Sequence, residues 1–219
     1  MKIIELKETV TASNDRDAAV LRGELKAQKT LLVNLMASPG AGKTTLLERT
    51  IRDLGEKYRI AVMEADVDSD VDAKRIESLG AKAVQAHTGG MGHMDAGMTR
   101  RALEELDAPE SDLVILENVG NLICPAEFDT GAGKNVMLLS VPEGDDKPLK
   151  YPLMFSTSDV LLITKADVLP YFDFDLQKCC ERAKKLNPRL EIFAVSSKTG
   201  AGMDAWETWL SNAIDSWNA

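Results

Sequence analysis

The chain has 219 residues, of which 44% are hydrophobic, and this size and composition fit one compact domain with a full core. A formal net charge of −9 and a pI near 4.9 argue against loose binding to nucleic acid or to an anionic membrane, because polyanions repel an acidic surface. No apolar run reaches membrane-spanning length and the first residues lack a signal-peptide core, so we expect a cytoplasmic protein without nucleic-acid or membrane partners.

Apolar runs bounded by turns alternate with helical patterns, which is typical of an α/β fold. We expect a helical extension, residues 1–28, that packs on a single domain, residues 29–219. The domain should have three layers, with a mainly parallel sheet of roughly seven strands flanked by helices. The predicted strands are Thr30–Met36, Arg59–Glu64, Lys82–Ala86, Leu113–Glu117, Asn135–Val141, Val160–Thr164 and Glu191–Val195. The predicted helices are Thr11–Gln28, Lys43–Lys57, Val71–Leu79, Met94–Leu106, Asp175–Leu186 and Met203–Ser216.

A glycine-rich segment follows the first predicted strand and opens a helix, in the pattern Ala37-x-x-x-x-Gly42-Lys43-Thr44 of a phosphate-binding P-loop. Its backbone N–H groups and the helix N-terminus would cradle an anion, Lys43 would reach the β- and γ-phosphates, and the Thr44 hydroxyl would bind Mg²⁺. The residues expected to contact the nucleotide here are Ser38, Pro39, Gly40, Ala41, Gly42, Lys43, Thr44 and Thr45. A glycine-rich turn without a ligand is the alternative.

A second candidate binding segment lies late in the chain, where Thr164-Lys165-Ala166-Asp167 follows one buried strand and Ser196-Ser197-Lys198 follows the next. The Asp167 carboxylate can accept hydrogen bonds from N1–H and the exocyclic amine of guanine, whereas adenine would leave it unpaired. The pattern resembles the Asn-Lys-x-Asp motif of GTPases, with Thr164 and Ser197 as departures. The residues assigned to guanine are Thr164, Lys165, Asp167, Ser196, Ser197 and Lys198. A solvated Lys-Asp turn is the alternative.

Four further segments indicate which family of P-loop proteins the chain resembles: Glu64–Asp68, His87–Ala96, Glu117–Pro125 and Pro142–Pro152. Together with the P-loop, these segments make the chain resemble the HypB family, the GTPases that assist nickel insertion into nickel–iron hydrogenases. The resemblance covers nearly the whole chain from about residue 15, and its motifs occur in the expected order. It implies a dimerising, metal-handling P-loop GTPase of the SIMIBI group that hydrolyses GTP slowly.

The resemblance also implies roles for two acids and a glycine. Asp66 and Glu117 would bind Mg²⁺, directly or through water, and position the attacking water, so with Lys43 they are the candidate catalytic residues. Which of these two acids contacts Mg²⁺ directly stays open. Gly120 would bring its backbone N–H close to the γ-phosphate, so that phosphate loss releases the following loop and Cys124 with it. The alternative is that such acids cap helices or lie in solvated turns. That alternative is what we expect for Asp68, Asp70 and Asp72.

The family's metal site combines a Cys-His pair with a further cysteine across a dimer. This chain has Gly92-His93 and Cys124 at those positions, so a homodimer would offer two thiolates and two imidazoles to Ni²⁺ or Zn²⁺. His87 is a weaker candidate. The adjacent cysteines Cys179 and Cys180 fit a helix and are assigned no chemistry, and all three thiols should be reduced.

The expected function is therefore GTP-dependent delivery of nickel toward a hydrogenase large-subunit precursor or a partner nickel chaperone. Lys147 or Lys150 could reach the partner's nucleotide across a dimer, or could belong to a solvated basic turn. Two other functions stay open. Gly92 favours a GTP-switched interaction protein that transfers no metal, and a related metallochaperone GTPase would serve another metalloenzyme.

Overall fold

The computed structural model describes residues 6–65 and 71–219. Within these residues seven strands form one sheet, every neighbouring pair is parallel, and the strand order is β3-β2-β4-β1-β5-β6-β7. The strands are β1 Leu31–Ala37, β2 Ile60–Glu64, β3 Lys82–Gln85, β4 Leu113–Glu117, β5 Lys134–Ser140, β6 Val160–Thr164 and β7 Glu191–Ala194. The predicted α/β fold with a parallel, helix-flanked sheet is confirmed.

Helices connect the strands and cover both faces of the sheet. They are α1 Leu6–Ala27, α2 Lys43–Leu54, α3 Val71–Glu77, α4 Ala96–Leu106, α5 Cys124–Glu127, α6 Lys147–Lys150, α7 Pro152–Thr157, α8 Leu176–Leu186 and α9 Met203–Asn218. Two short 3₁₀ helices, Val141–Glu143 and Ala166–Tyr171, follow β5 and β6. None of the helices in the described ranges is long and apolar enough to cross a membrane.

The central strand β1 shows why the strands are continuously apolar. All seven of its residues are buried, because both faces of the sheet are covered. Leu31, Val33 and Leu35 pack on one side with residues of α2 and α9. Leu32 packs on the other side with α1 and α4, and Met36 with α7 and α8. The sheet is thereby fixed between two helical layers, and the carboxyl ends of its strands share one edge.

Several element ends differ from the sequence prediction. Helix α2 ends at Leu54 rather than at Lys57: Gly55 is its C-cap, and the next turn is tighter, with the Lys57 N–H donating to the Leu54 carbonyl oxygen three residues earlier. Helix α4 begins at Ala96 rather than at Met94, since the Asp95 carboxylate caps it by accepting from the Met98 N–H. Helices α5, α6 and α7 were not predicted; each has a proline in its first turn and at most six residues. Such short elements carry no helical periodicity.

Hydrogen bonds to residues distant in the sequence hold helix α1 in place. Arg22 Nε donates to the carbonyl oxygen of Ala132 at 2.7 Å, and Asn14 Nδ2 donates to that of Asp129 at 2.9 Å. Asn14 Oδ1 also accepts from the N–H of Ala96, the first residue of α4. These bonds fix α1 beside α4 and beside the loop before β5.

Candidate functional site

The glycine-rich segment forms a loop between β1 and α2. Gly40 and Gly42 have φ angles of +76° and +96°, a region that favours glycine, and Gly42 immediately precedes α2. Lys43, the first helical residue, is only 6% exposed. Strand, loop and helix therefore follow one another as the phosphate-loop motif requires. The predicted nucleotide contacts of Ser38, Pro39, Ala41 and Thr45 on this loop stay predictions.

Two predicted magnesium ligands meet at the start of α2. Thr44 Oγ1 lies 3.2 Å from Glu117 Oε1, and Glu117 is the last residue of β4, 5% exposed. A hydroxyl and a carboxylate are oxygen donors of the kind that Mg²⁺ prefers. The pair therefore fits the ion expected beside the phosphates. Asp66, the third predicted ligand, lies outside the described residues, as do Asp68 and Asp70.

The segment after β6 is attached to the phosphate loop. Thr164 Oγ1 donates to the carbonyl oxygen of Ala41, and Lys165 Nζ donates to that of Gly40, both at 2.7 Å. Lys165 has φ +57°, which is uncommon for a residue with a side chain and costs on the order of 1 kcal/mol. The strained residue is held by its own contact with the phosphate loop. The threonine that departs from the GTPase motif therefore has a structural partner here.

The predicted guanine-binding residues come together after β6 and β7. Ser196 Oγ donates to Asp167 Oδ1 at 2.7 Å and accepts from the Thr199 N–H at 3.2 Å. One oxygen of Asp167 is thereby oriented by Ser196, which is fully buried. Ser197 is half-buried with its hydroxyl 4.0 Å from the Met203 sulfur, and Lys198 is exposed.

The loop after β4 touches the phosphate loop. A Cβ on Gly120 would lie 3.0 Å from Pro39 Cγ, so only glycine fits at this approach without displacement. The Asn121 N–H donates to the carbonyl oxygen of Ala37 at 2.9 Å. The peptide groups after β4 are therefore held against the start of the phosphate loop.

The same loop carries Cys124 and contacts the segment with the candidate histidine. Asn121 Nδ2 donates to the Gly92 carbonyl oxygen at 3.4 Å. A Cβ on Gly92 would lie 3.7 Å from Cys124 Sγ, so position 92 borders the thiol. His93 stacks on Phe128 with ring centroids 3.8 Å apart. Burial lowers the pKa of His93, opposed by Asp95 and Glu127, and the neutral imidazole that results is the form that binds metals.

The remaining candidate residues lie away from this site or bond to residues near them in the sequence. His87 is exposed. Cys179 is fully buried in α8, and burial raises the pKa of its thiol to about 12, which keeps it protonated. Lys147 Nζ donates to the Glu143 carbonyl oxygen at 2.7 Å, and Lys150 pairs with Asp146 at 2.6 Å. All cysteines in the described residues are free, as expected for reduced thiols.

Sequence reasoning assigned no role to Asn118, which proves central to the site. Fully buried, it donates from Nδ2 to Asn34 Oδ1 at 2.9 Å, and its own Oδ1 accepts from the Met94 and Val119 N–H groups. It therefore joins β1, the segment after His93 and the loop after β4. The one signal in the sequence is Asn34, a polar residue inside an otherwise apolar strand.

Comparison with known proteins agrees with this geometry. A family model described as CobW/HypB/UreG, nucleotide-binding domain, matches residues 31–194. The hydrogenase maturation factor HypB of Azotobacter vinelandii is 46% identical over 209 residues, which cover 95% of this chain and 69% of that protein. The chain belongs to the HypB family. As a member of this group of P-loop proteins, it is a GTPase.

Other HypB proteins and structures extend the comparison. The HypB of Escherichia coli strain K12 is 44% identical, with 95% of this chain and 72% of that protein covered. The crystal structure of HypB from Helicobacter pylori in complex with nickel is 39% identical, with a TM-score of 0.87, 93% of this chain and 96% of that chain covered. The signal recognition particle receptor FtsY of Elizabethkingia anophelis, 12% identical with a TM-score of 0.56, shares the fold alone.

Proposed function

We propose that this HypB-family GTPase delivers nickel during the maturation of nickel–iron hydrogenases, acting as a homodimer whose formation depends on the bound nucleotide. The observation that carries the proposal is the pair of bonds made by Asn121. Its N–H reaches Ala37 at the phosphate loop, and its side chain reaches Gly92 beside Cys124. A change at the γ-phosphate can therefore be transmitted to the segments that carry His93 and Cys124.

The hydrolytic half of the function depends on groups at the phosphate loop. Loop N–H groups and Lys43 bind and orient the phosphates, and Glu117 with Thr44 would hold Mg²⁺. The ion, when bound, neutralises charge that develops on the transferred phosphoryl group. The Gly120 N–H lies on the loop pressed against Pro39, where it can sense whether the γ-phosphate is present. Asp66 is proposed as the second acid that positions the attacking water.

Selection of guanine is assigned to the segments after β6 and β7. With Asp167 oriented by Ser196, its carboxylate is available for the two N–H groups on one edge of guanine. An adenine would present an acceptor to this carboxylate and leave it unpaired. GTP and GDP are therefore the proposed nucleotides.

Nickel is the proposed cargo, bound between two subunits. Among the described residues, no group of three or more His, Cys, Asp or Glu side chains is arranged to hold a metal ion within one chain. Pairing two chains would bring together two Cys124 thiolates and two His93 imidazoles, a set suited to Ni²⁺ or Zn²⁺. The Helicobacter pylori relative, whose crystal structure is a complex with nickel, supports nickel as the metal. The client would be a hydrogenase large-subunit precursor or a partner nickel chaperone.

Isothermal titration calorimetry with Ni²⁺, in GDP and in a non-hydrolysable GTP analogue, tests the proposal. We expect about one metal per dimer in one nucleotide state, with binding abolished in Cys124→Ala and in His93→Ala. His87→Ala and Cys180→Ala are matched controls, because they remove the same chemical groups elsewhere. Light scattering on the same samples reports the oligomeric state. Absence of specific nickel binding in both nucleotide states would refute metal delivery.

One observation favours a second candidate function, a GTP-switched interaction protein. Gly92 occupies the position that borders Cys124, so each chain brings one thiolate to the site where the family pattern has two. The calorimetric result separates the two functions, since the second predicts nucleotide-dependent dimerisation without metal. A related client is also compatible: the Helicobacter hepaticus relative, 41% identical, is named a hydrogenase/urease maturation factor.

A further inference from the structure

One side chain of α1 joins the two segments that carry the candidate metal ligands. Asn14 Oδ1 accepts from the Ala96 N–H at 2.9 Å, three residues after His93 in the sequence. Asn14 Nδ2 donates to the Asp129 carbonyl oxygen, also at 2.9 Å, five residues after Cys124. A single amide group therefore ties the backbone that follows the histidine to the backbone that follows the cysteine.

The same two segments bring together a pair of stacked rings. His93 lies on Phe128 with ring centroids 3.8 Å apart and ring planes 10° apart. Phe128 is the C-cap of α5 and directly precedes Asp129. The distance between the two rings depends on how closely the two backbones are held, and the Asn14 amide holds them close to both rings.

Other contacts keep α1 attached independently of Asn14. Arg22 Nε donates to the Ala132 carbonyl oxygen at 2.7 Å, and Arg22 Nη2 pairs with Asp129 Oδ1 at 2.5 Å. Glu24 pairs with Arg100 of α4 at 2.6 Å. Loss of the Asn14 bonds would therefore leave the helix in place, and the effect of that loss should be confined to the two segments that Asn14 joins.

The two bonds require an amide at position 14. Ala96 is the first residue of α4, where a backbone N–H has no partner within the helix, and it is 2% exposed. The Asp95 carboxylate caps α4 by accepting from the Met98 N–H, so the acceptor for the Ala96 N–H comes from α1. An amide offers both a donor and an acceptor, whereas aspartate would keep only the acceptor and leucine would keep neither.

We propose that Asn14 is a positioning residue for the metal site, and that it sets the placement of His93 relative to the segment that carries Cys124. Without the amide, the start of α4 and the loop after Phe128 are no longer tied together. The stack then loosens, the imidazole loses its fixed orientation, and the affinity for nickel falls. The inference rests on the proposed function, because it takes His93 and Cys124 as the nickel ligands.

The first readout is the nuclear magnetic resonance spectrum of the histidine rings and needs no metal. The chain has two histidines, His87 and His93, so two sets of ring signals are expected. The ring current of Phe128 shifts the signals of the stacked His93, whereas the exposed His87 is an internal reference. Spectra are recorded at about pH 8, above the ordinary histidine pKa of about 6.5. Asn14→Leu should move the His93 signals toward those of Phe128→Leu, which lacks the stack.

The second readout is nickel affinity by isothermal titration calorimetry. Asn14→Leu should lower it about 10- to 100-fold, the range found for residues that orient a metal ligand. Asn14→Asp keeps the acceptor for Ala96 and loses the donor to Asp129, so both of its changes should be smaller. Glu24→Gln is the matched control, because it weakens a contact of α1 with α4 about 15 Å along the helix from Asn14. It should leave the His93 signals and the nickel affinity unchanged.

The outcomes separate this inference from the proposed function. Unchanged His93 signals in folded Asn14→Leu would overturn the inference, and so would an equal displacement in Glu24→Gln or an unchanged nickel affinity in Asn14→Leu. If Asn14→Leu does not fold by circular dichroism, Asn14→Asp replaces it under the same criteria. Absence of nickel binding by the unmodified protein would remove the proposed function, and the ring signals would still decide whether Asn14 positions His93.

Discussion

Thr44 and Glu117 are 73 residues apart in the chain, and the structure brings the hydroxyl of one within 3.2 Å of the carboxylate of the other. The contact follows from the parallel pairing of β1 with β4, which ends both strands at the same edge of the sheet. The residue after the P-loop lysine and the last residue of β4 are thereby neighbours. This pair is the proposed attachment point of Mg²⁺ beside the nucleotide.

The first prediction concerns the charge of that carboxylate. Glu117→Gln keeps the size of the side chain and removes its charge, so the Mg²⁺ concentration needed for half-maximal GTP hydrolysis should rise about 10- to 100-fold. Phosphate release measured across a magnesium series checks this. Glu110→Gln, at a side chain that is 86% exposed, is the control. A magnesium dependence equal to that of the unmodified protein would remove Glu117 from the ion site.

The second prediction concerns base specificity. Asp167→Asn replaces an acceptor by an amide that complements xanthine, so the GDP affinity should fall about 100-fold while that for XDP rises. Competition binding with GDP, XDP and ADP measures both changes. Asp173→Asn, at an exposed position a few residues away, should leave the order of affinities for GDP, XDP and ADP unchanged. An unchanged preference for guanine in Asp167→Asn would refute the assignment.

The third prediction concerns the residue beside Cys124. Gly92→Cys should raise the Ni²⁺ and Zn²⁺ affinity about tenfold, because its thiol would border the existing one. The φ angle at Gly92 is not in the left-handed region, and the nearest obstacle to a Cβ is the Asn121 amide nitrogen at 2.9 Å. Gly92→Ser adds the same Cβ without a thiol and is the matched control. Equal metal affinities of the two variants would show that position 92 does not reach the metal.

The fourth prediction concerns stability. Trp206 is 2% exposed and donates from Nε1 to Thr50 Oγ1 at 3.1 Å, which ties α9 to α2. Thr50→Val keeps the shape but leaves the buried indole N–H without an acceptor, so the free energy of unfolding should fall by about 1–3 kcal/mol. Urea denaturation followed by tryptophan fluorescence measures this. Thr157→Val, at an exposed position, is expected to change the midpoint little.

The fifth prediction is a pH dependence of the free energy of unfolding. Burial and Asp53 raise the pKa of Glu207 from 4.5 to about 7, so the folded state binds this proton more tightly than the unfolded state does. The contribution of Glu207 is fully present below pH 4.5 and is lost as the pH rises toward about 7. Denaturation at a series of pH values should show this decline, and Glu207→Gln should reduce it. An equally steep decline in the variant would assign it to other groups.

The fold and the phosphate loop could be predicted from sequence because their signals are local. Apolar strands such as Val160–Thr164 are bounded by turns, and the P-loop spacing is contiguous. Other features depend on long-range packing: the bond from Trp206 to Thr50 and the stacking of His93 on Phe128 join segments that are distant in the sequence or follow no local pattern. Element ends were predicted less well than the elements themselves. Asp95 caps α4, so the helix begins at Ala96, two residues after the predicted start at Met94.

The two bonds from Thr164 and Lys165 to the carbonyl groups of Ala41 and Gly40 have a consequence for signalling. Both join protein groups to one another, and neither involves the γ-phosphate. The segment proposed to bind guanine and the phosphate loop are therefore joined by contacts that do not depend on which of GTP and GDP is bound. In the proposed function, discrimination between the two nucleotides would then fall to the loop after β4, and the segment that leads to Cys124 would report whether hydrolysis has occurred.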